Sequence, residues 1–581
     1  MSGVLSRLAG RLRTGDLVTG ISRLLALACL VGLVGMLPWL SGKDPALTIL
    51  RATSSDREPT PEVLASIRKS IGIDGGPLHV IGHWLAGVAR GDLGRSWVSG
   101  ADVGPDAVDA FGVSLSLMAA ALGVGVVVAA ALVLPALRDG LRGRPRPRGG
   151  AASAVLISLP EYLLAPILML VLAVYLRILP PFGWGSPEKV IMPALSLGLP
   201  TGGYLGGLVS DAVTATFSER WVATWSTAGI RGRTLAGAVL RRALAPLTGQ
   251  VALVVVALTG GAVAVEKIFA IPGLGRELLD AASAQDVPAL QAQILLLLAL
   301  ALTTGVIAGA VRRLLMGRAA GAGGLTAPPP VEHPGRAARV IAVSGAALLA
   351  LMVAVGIRRD PYAVVADKLA QPSAALPLGA DSLGRDVLAR VAHGAVSTVS
   401  GAVIVTVVCF VIAILVGLAP RAATGFIEVA NAAPPILAGL IVAGVSGPSA
   451  TGAAIAVAGV GWAPLASHAA GLVAENRQRP DVLLAPVLGE GRVRITLTRV
   501  LPAVVGPLAR HAALRLPGKA LALAALGFLG LGAQSPAPEW GLVLSDALPY
   551  IERAPWAVAT PAAALVVLSI TSVAASRSMR R

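Results

Sequence analysis

The sequence predicts an all-α integral membrane protein with about twelve transmembrane helices in two homologous six-helix halves. Three observations carry this. Of the 581 residues 55% are hydrophobic and only 14% charged, with a mean hydropathy of +0.77; soluble domains carry about a quarter charged residues. Apolar runs of the roughly 20 residues needed to cross a bilayer recur along the chain. The two halves also end alike, each with a long basic loop, a span, a Gly/Pro bend and a final span. Gly229 and Gly489 occupy matching places in them, 260 residues apart.

The candidate spans of the first half lie near 19–40, 111–137, 151–178, 190–212, 248–268 and 290–311. Those of the second lie near 340–357, 396–419, 425–446, 451–470, 512–531 and 556–575. Several contain Gly and Pro, which membrane helices tolerate better than soluble ones. Arginines set the orientation. The stretches 138–150, 231–242, 312–318, 490–499 and the C-terminal "SRSMRR" fall on the N-terminal side of the membrane, which the positive-inside rule makes cytoplasmic. The connections 41–110, 179–189, 269–289, 358–395 and 532–555 then face outward, and both termini lie inside. Arg7, Arg11, Arg13 and Arg23 before an apolar run mimic a signal peptide. With no small-residue cleavage site after Trp39 and more spans following, that run reads as an uncleaved first span. Between the halves, "GRAAGAGGLTAPPPVEHPGRAAR" (317–339) reads as a linker, separating a first membrane unit, 1–316, from a second, 340–581. Repeated membrane halves are a transporter signature.

The Lys+Arg excess, 48 against 31 acids, suits orientation in a lipid membrane better than nucleic acid. Aromatics are only 4% of the chain and the arginines lie between apolar runs. Cys29 and Cys409 sit in apolar runs and read as buried small hydrophobes, without disulfide or zinc spacing. His79 and His83 are i, i+4, but no third ligand accompanies them, so no metal is expected. No phosphate loop occurs. "LPGKA" (516–520) lacks the first glycine and the hydroxyl, so ATP hydrolysis belongs to another chain. No Ser/His/Asp nucleophile pattern assembles, and neither enzyme activity nor a cofactor is expected. Glu161 in "SLPEYLLAP" and His468 in "GWAPLASHAAG" are ionisable groups inside or beside spans. They are pathway candidates, with snorkelling or helix-end hydrogen bonding as the plain alternative. Asp381, Arg385 and Asp386 on an outward loop read as mutual salt bridges.

The segment "IFAIPGLGRELL" (268–279) interrupts two spans. Pro272, Gly273 and Gly275 break a helix, yet Phe269, Ile271 and Leu274 are too apolar for a solvated loop. A resemblance bears on this. "RKSIGIDGGPLHVIGHWLAGVARGDLGRSW" (68–97), "VIMPALSLGLP" (190–200) and "FAIPGLGRELLDAASAQDVPALQ" (269–291) resemble the first membrane subunit of dipeptide, oligopeptide and nickel ABC importers. "LPLGADSLGRDVLARVAHGA" (376–395) and "LGFLGLGAQSPAPEWGLVLSDA" (526–547) resemble its partner subunit. The likeness runs from about 60 to 575 and implies a type I ABC importer fold with two subunits fused in one chain. By that resemblance the outward bends, with Phe269, Pro272, Gly273, Gly275, Gly530 and Gly532, lie beneath a docked binding protein. The alternative is a bend that only ends one helix and starts another.

In this family a separate ATPase grips a short helix on each subunit, marked by Glu-Ala-Ala, three residues, Gly. Gly229 ends "ATWSTAG" and Gly489 ends "LLAPVLG". The matching coupling positions are Ala223, Thr224, Gly229, Ala485 and Gly489; only Ala485 and the glycines keep the expected types. Pro486 predicts that the second helix is short or begins near it, with less surface for an ATPase groove. The resemblance thus implies two ATPase domains inside, a substrate-binding protein outside, and a bacterial cytoplasmic (inner) membrane location. It implies di- or oligopeptide import, with nickel or another small solute as the alternative. An ion-coupled secondary transporter also uses repeated halves, but the mid-membrane carboxylates or broken helices it needs read as scarce in this sequence.

Overall fold

The computed structural model describes residues 2–40, 46–47, 49–50, 58–70, 76–145, 150–316 and 336–578. Most of the 317–339 linker and part of the 41–110 segment lie outside the described residues. The first half runs α1 (Ser2–Gly35), α2 (Leu37–Leu40), α3 (Pro61–Ser70), α4 (Pro77–Ala89), α5 (Val103–Leu141) and α6 (Gly150–Ile157). It continues through α7 (Glu161–Leu168), α8 (Pro187–Phe217), α9 (Arg220–Thr227), α10 (Gly232–Leu244), α11 (Thr248–Phe269), α12 (Leu274–Ala284) and α13 (Val287–Met316). The second half runs α14 (Arg336–Gly356), α15 (Val387–Gly417), α16 (Pro420–Ala432), α17 (Pro435–Ser446), α18 (Ala450–Gly461) and α19 (Ala463–Arg477). Then come α20 (Pro480–Leu483), α21 (Arg492–Ile495), α22 (Leu501–Leu529), α23 (Trp540–Ala547) and α24 (Pro555–Ser578).

Among the described residues, eight helices are long and apolar enough to cross a membrane. Two of the other expected spans are broken at a proline. The 425–446 span is a pair, α16 and α17, bent by 89°; Pro434 caps α17 in an extended conformation and cannot continue α16. The 151–178 span is broken likewise by Pro160 ahead of α7. Residues 232–269 and 492–529 each form one 38-residue apolar stretch, roughly 57 Å of helix, far longer than a ~30 Å hydrocarbon core. The stretch 490–499, expected as loop, is therefore mostly the base of a long helix.

By contacts the chain divides into two compact units, and neither is a sequence half. One comprises 1–104, 281–292 and 394–542. In it α1 packs along α16: Ser22 Oγ donates to the Ala422 carbonyl (2.6 Å), and Arg23 pairs with Glu428 (2.7 Å). Gly425 lets the two backbones meet, since a Cβ there would strike the backbone of Ser22.

The other unit comprises 105–280, 293–393 and 543–581. Its α8 carries Gly198, Gly202 and Gly206 four residues apart. Any Cβ on them would meet Val124, Val128 and Leu132 of α5 at 2.6–2.8 Å, so this stripe of small residues seats α5 against α8. A buried cluster that includes Val213, Phe217, Val222, Leu235 and Val239 ties the short α9 to α8 and α10.

Candidate functional site

Two short helical turns share one geometry. Glu219 and Arg479, again 260 residues apart, cap α9 and α20 with nearly equal angles (φ −71°, ψ 143° and φ −68°, ψ 140°). Val222 and Val482, at matching positions, are buried. Each turn closes on a glycine with φ +82°, a left-handed conformation that an L side chain adopts only with strain. Ile230 N–H donates to Trp225 O (3.0 Å) and Glu490 N–H to Ala485 O (3.1 Å); Gly229 and Gly489 N–H donate to Ser226 O and Pro486 O. This is one six-residue closing motif made twice. The second helix is a single turn, but it starts at Pro480 and not near Pro486, which lies in the turn beyond.

Their surfaces differ. The first turn exposes Ala223, Thr224, Thr227 and Ala228, while Trp225 packs edge-to-face on Trp221. The second exposes, in the same register, Leu483 (61%), Leu484 (59%), Val487 (82%) and Leu488 (74%). Ala485, a candidate docking residue by type, is buried and supports the turn from within. The second helix is shorter than the first, and its turn presents four large apolar side chains. Arg499 staples this turn, donating to Glu490 Oε2 (3.0 Å) and to the Asp481 carbonyl (3.1 Å). The hydrogen bond from Arg499 holds the Glu490 carboxyl below its ordinary pKa.

The Gly/Pro bends also match. Ala270 and Gly530 end α11 and α22 in the left-handed region, and Ile271 and Leu531 N–H donate to Glu266 O and Leu526 O, both 2.9 Å. In the first bend Phe269, Ile271 and Leu274 are fully buried and wedge the segment onto its bundle, while Pro272 is exposed. Ser114 of α5 donates to Glu266 Oε1 (2.6 Å), Arg276 N–H donates to Oε2 (3.0 Å), and Leu274 N–H donates to Ser114 Oγ (2.8 Å). In the second bend Thr398 of α15 donates to Glu539 Oε1 (3.2 Å), which also accepts from Gly541 N–H (3.0 Å), and Leu542 N–H donates to Oε2 (3.0 Å).

Each short helix, α12 and α23, thus has its free N-terminal N–H groups capped by one buried carboxylate held by a hydroxyl from a span. Glu266 comes from before the turn and Glu539 from directly ahead of the helix. The glycines clear the space: a Cβ on Gly273 would strike the Glu266 carboxyl, one on Gly527 the Glu539 carboxyl, and one on Gly532 would lie 3.0 Å from the Gly527 backbone. Burial pushes the Glu539 carboxyl up to about 7, against the lowering effect of its three donors. Neither glutamate was singled out from the sequence.

Of the pathway candidates, Glu161 follows the Pro160 break and lies against Gly261 of α11, where a Cβ would be 2.7 Å from its Oε1. His468 of α19 stacks on His511 of α22, with ring centroids 4.3 Å apart. On the 358–395 segment Arg385 pairs with Asp381 (2.7 Å) and Arg359 with Asp386 (2.7 Å). Arg390, fully buried, reaches Asp381 (3.2 Å) and Asp546 (3.5 Å). His79 and His83 are exposed, and among the described residues no three potential metal ligands converge.

Residues 150–320 and 410–579 each match the family described as "Binding-protein-dependent transport system inner membrane component". The chain is 35% identical to the peptide transport system permease protein SapC of Escherichia coli O6:H1 over 202 residues, 33% of this chain and 67% of that protein. It is 32% identical to the glutathione transport system permease protein GsiC of Salmonella choleraesuis over 303 residues, 50% of this chain and 90% of that protein. It is 28% identical to the metal-staphylopine import system permease protein CntB of Staphylococcus aureus (strain NCTC 8325) over 281 residues, 48% and 89% of the two chains. With two turns and two capped bends repeated inside one polypeptide, the chain belongs to the family of ABC-importer inner-membrane permeases and carries its membrane domain twice.

Proposed function

We propose that this chain is the complete membrane part of an ABC importer for di- or oligopeptides, doing alone what a pair of permease subunits does elsewhere. The observation that carries this is the duplicated turn at Gly229 and Gly489, supported by two matches to one permease domain. On this reading α9 and the turn after α20 dock two ATPase domains on the cytoplasmic side. The apolar Leu483, Leu484, Val487 and Leu488 seat in a groove that the first turn does not need. The capped bends hold α12 and α23 rigid on the outward side, where a substrate-binding protein hands over its cargo. Peptide cargo is supported by the peptide and glutathione permeases among the relatives. A metal chelate is the competing cargo, because one relative is a metal-staphylopine permease. Deleting the chain and measuring uptake of labelled dipeptides and of nickel, with native mass spectrometry of the tagged complex, tests this. One chain per two ATPase domains and loss of peptide uptake alone are expected. Two chains per ATPase dimer would refute the fused-pair reading, and loss of nickel uptake alone the peptide reading.

A further inference from the structure

A basic stripe runs along α22. His511, Arg515 and Lys519 follow at i, i+4 and i+8, a spacing that stacks side chains on one helix face. α22 ends at Leu529, so ten residues at ~1.5 Å each put Lys519 about 15 Å from that end, midway through a ~30 Å core. His468 stacks on His511, and Arg515 Nε donates to His511 Nε2 (3.0 Å). Lys519 is 5% exposed. A Cβ on Gly461 would lie 3.3 Å from its Cε and 3.3 Å from the Cys409 sulfur, so the aliphatic stem of Lys519 is packed beside an uncharged thiol. Among the described residues Lys519 has no hydrogen-bond or ion-pair partner.

The fold does not require these charges. The 260-residue register holds from the Glu219 and Arg479 caps through the Ile271 and Leu531 hydrogen bonds. Within it, positions 511, 515 and 519 correspond to Val251, Val255 and Thr259. Two valines and a threonine build the same helix between the same turn and the same bend. An unpaired ammonium at mid-membrane is costly unless water or an anion reaches it, and Arg515 is exposed on a face that acyl chains would not tolerate.

We infer that α22 lines a water-filled path and that His511, Arg515 and Lys519, with His468, form a station on it that attracts an anionic group of the passing solute, a carboxylate in the case of a peptide. The cargo part rests on the importer reading; the electrostatic part does not.

Ala522 lies three residues beyond Lys519, on the same side of the helix. In the full chain in membranes, with Cys29→Ser and Cys409→Ala, Ala522→Cys is reacted with the anionic sulfonatoethyl and the cationic trimethylammonioethyl methanethiosulfonates. Both should modify it. The anion-to-cation rate ratio should fall about tenfold or more in His511→Val/Arg515→Val/Lys519→Thr, the order by which charged clefts concentrate ions. Lys519→Arg should keep the ratio. If the triple variant does not reach the membrane, Arg515→Val alone should still lower it, by about threefold. A ratio unchanged by neutralisation, or a thiol reached only after detergent unfolding, overturns the station. In cells, uptake of Ala-Glu relative to Ala-Lys should fall in the same variants. If neither uptake depends on the chain, the peptide reading fails and the thiol ratio still decides the station.

Discussion

Replacing Leu483, Leu484, Val487 and Leu488 with Ala, Thr, Thr and Ala gives the second turn the surface of the first without touching its glycine, Ala485 or the Arg499 staple. The four side chains have between 59% and 82% of their surface still exposed. At about 2 kcal/mol for fully burying a Leu or Val, docking into a close-fitting groove yields at most about 5–6 kcal/mol. The replacements keep roughly a third of that, and interfaces convert buried area incompletely. The expected loss is about 2–4 kcal/mol, a 30- to 1,000-fold weaker hold on the ATPase. The assay is retention of ATPase on the tagged chain across a dilution series, read by native mass spectrometry. The reciprocal change, Ala223→Leu, Thr224→Leu, Thr227→Val and Ala228→Leu, should not compensate, because the native first turn exposes only small side chains there. Retention within threefold of wild type after the first replacement would refute the assignment of this face to the ATPase.

Gly541→Ala should destabilise the folded chain more than Gly273→Ala, by thermal unfolding in detergent. The first Cβ strikes the backbone of Ala524, the second only the movable Glu266 carboxyl, for which overpacking costs about 1–3 kcal/mol. Glu539→Gln should flatten the pH dependence of stability. The folded carboxyl sits at about 7 against 4.5 for the free group, so the folded state holds the proton more tightly. This carboxyl's contribution to stability is then greatest below pH 4.5, falls by up to about 3 kcal/mol toward pH 7 and levels off above it. A melting-temperature difference, wild type minus Glu539→Gln, that rises between pH 5 and 7 would contradict this sign. Asp381→Asn leaves the buried Arg385 and Arg390 without their shared carboxylate and should cost about 3–5 kcal/mol in the same unfolding measurement. For topology, Ala374→Cys should react with an impermeant thiol reagent added to intact cells and Ala228→Cys only after lysis; labelling of position 228 from outside would reverse the orientation.

Composition and runs of about 20 apolar residues were enough to identify a membrane protein, because the bilayer imposes length and apolarity on each helix separately. The duplicated turn was legible too: Gly229 and Gly489 mark it at one spacing, since a left-handed residue needs no distant contact to prefer glycine. The bends at Pro160 and Pro434 blurred span boundaries, as apolar composition continues across a proline that the helix cannot follow. What the sequence did not determine depends on which surfaces meet. Ala485 has the residue type of a docking position, but folding turns it inward and Leu483, Leu484, Val487 and Leu488 outward. Glu266 and Glu539 sit at unrelated sequence positions and become equivalent only when Ser114 and Thr398 bring a hydroxyl to each. The exchange that seats α1 on α16 is equally silent in the sequence. It depends on a close approach at Gly425 and on the Arg23–Glu428 pair, and pairings between residues some 400 positions apart leave no local periodicity to read.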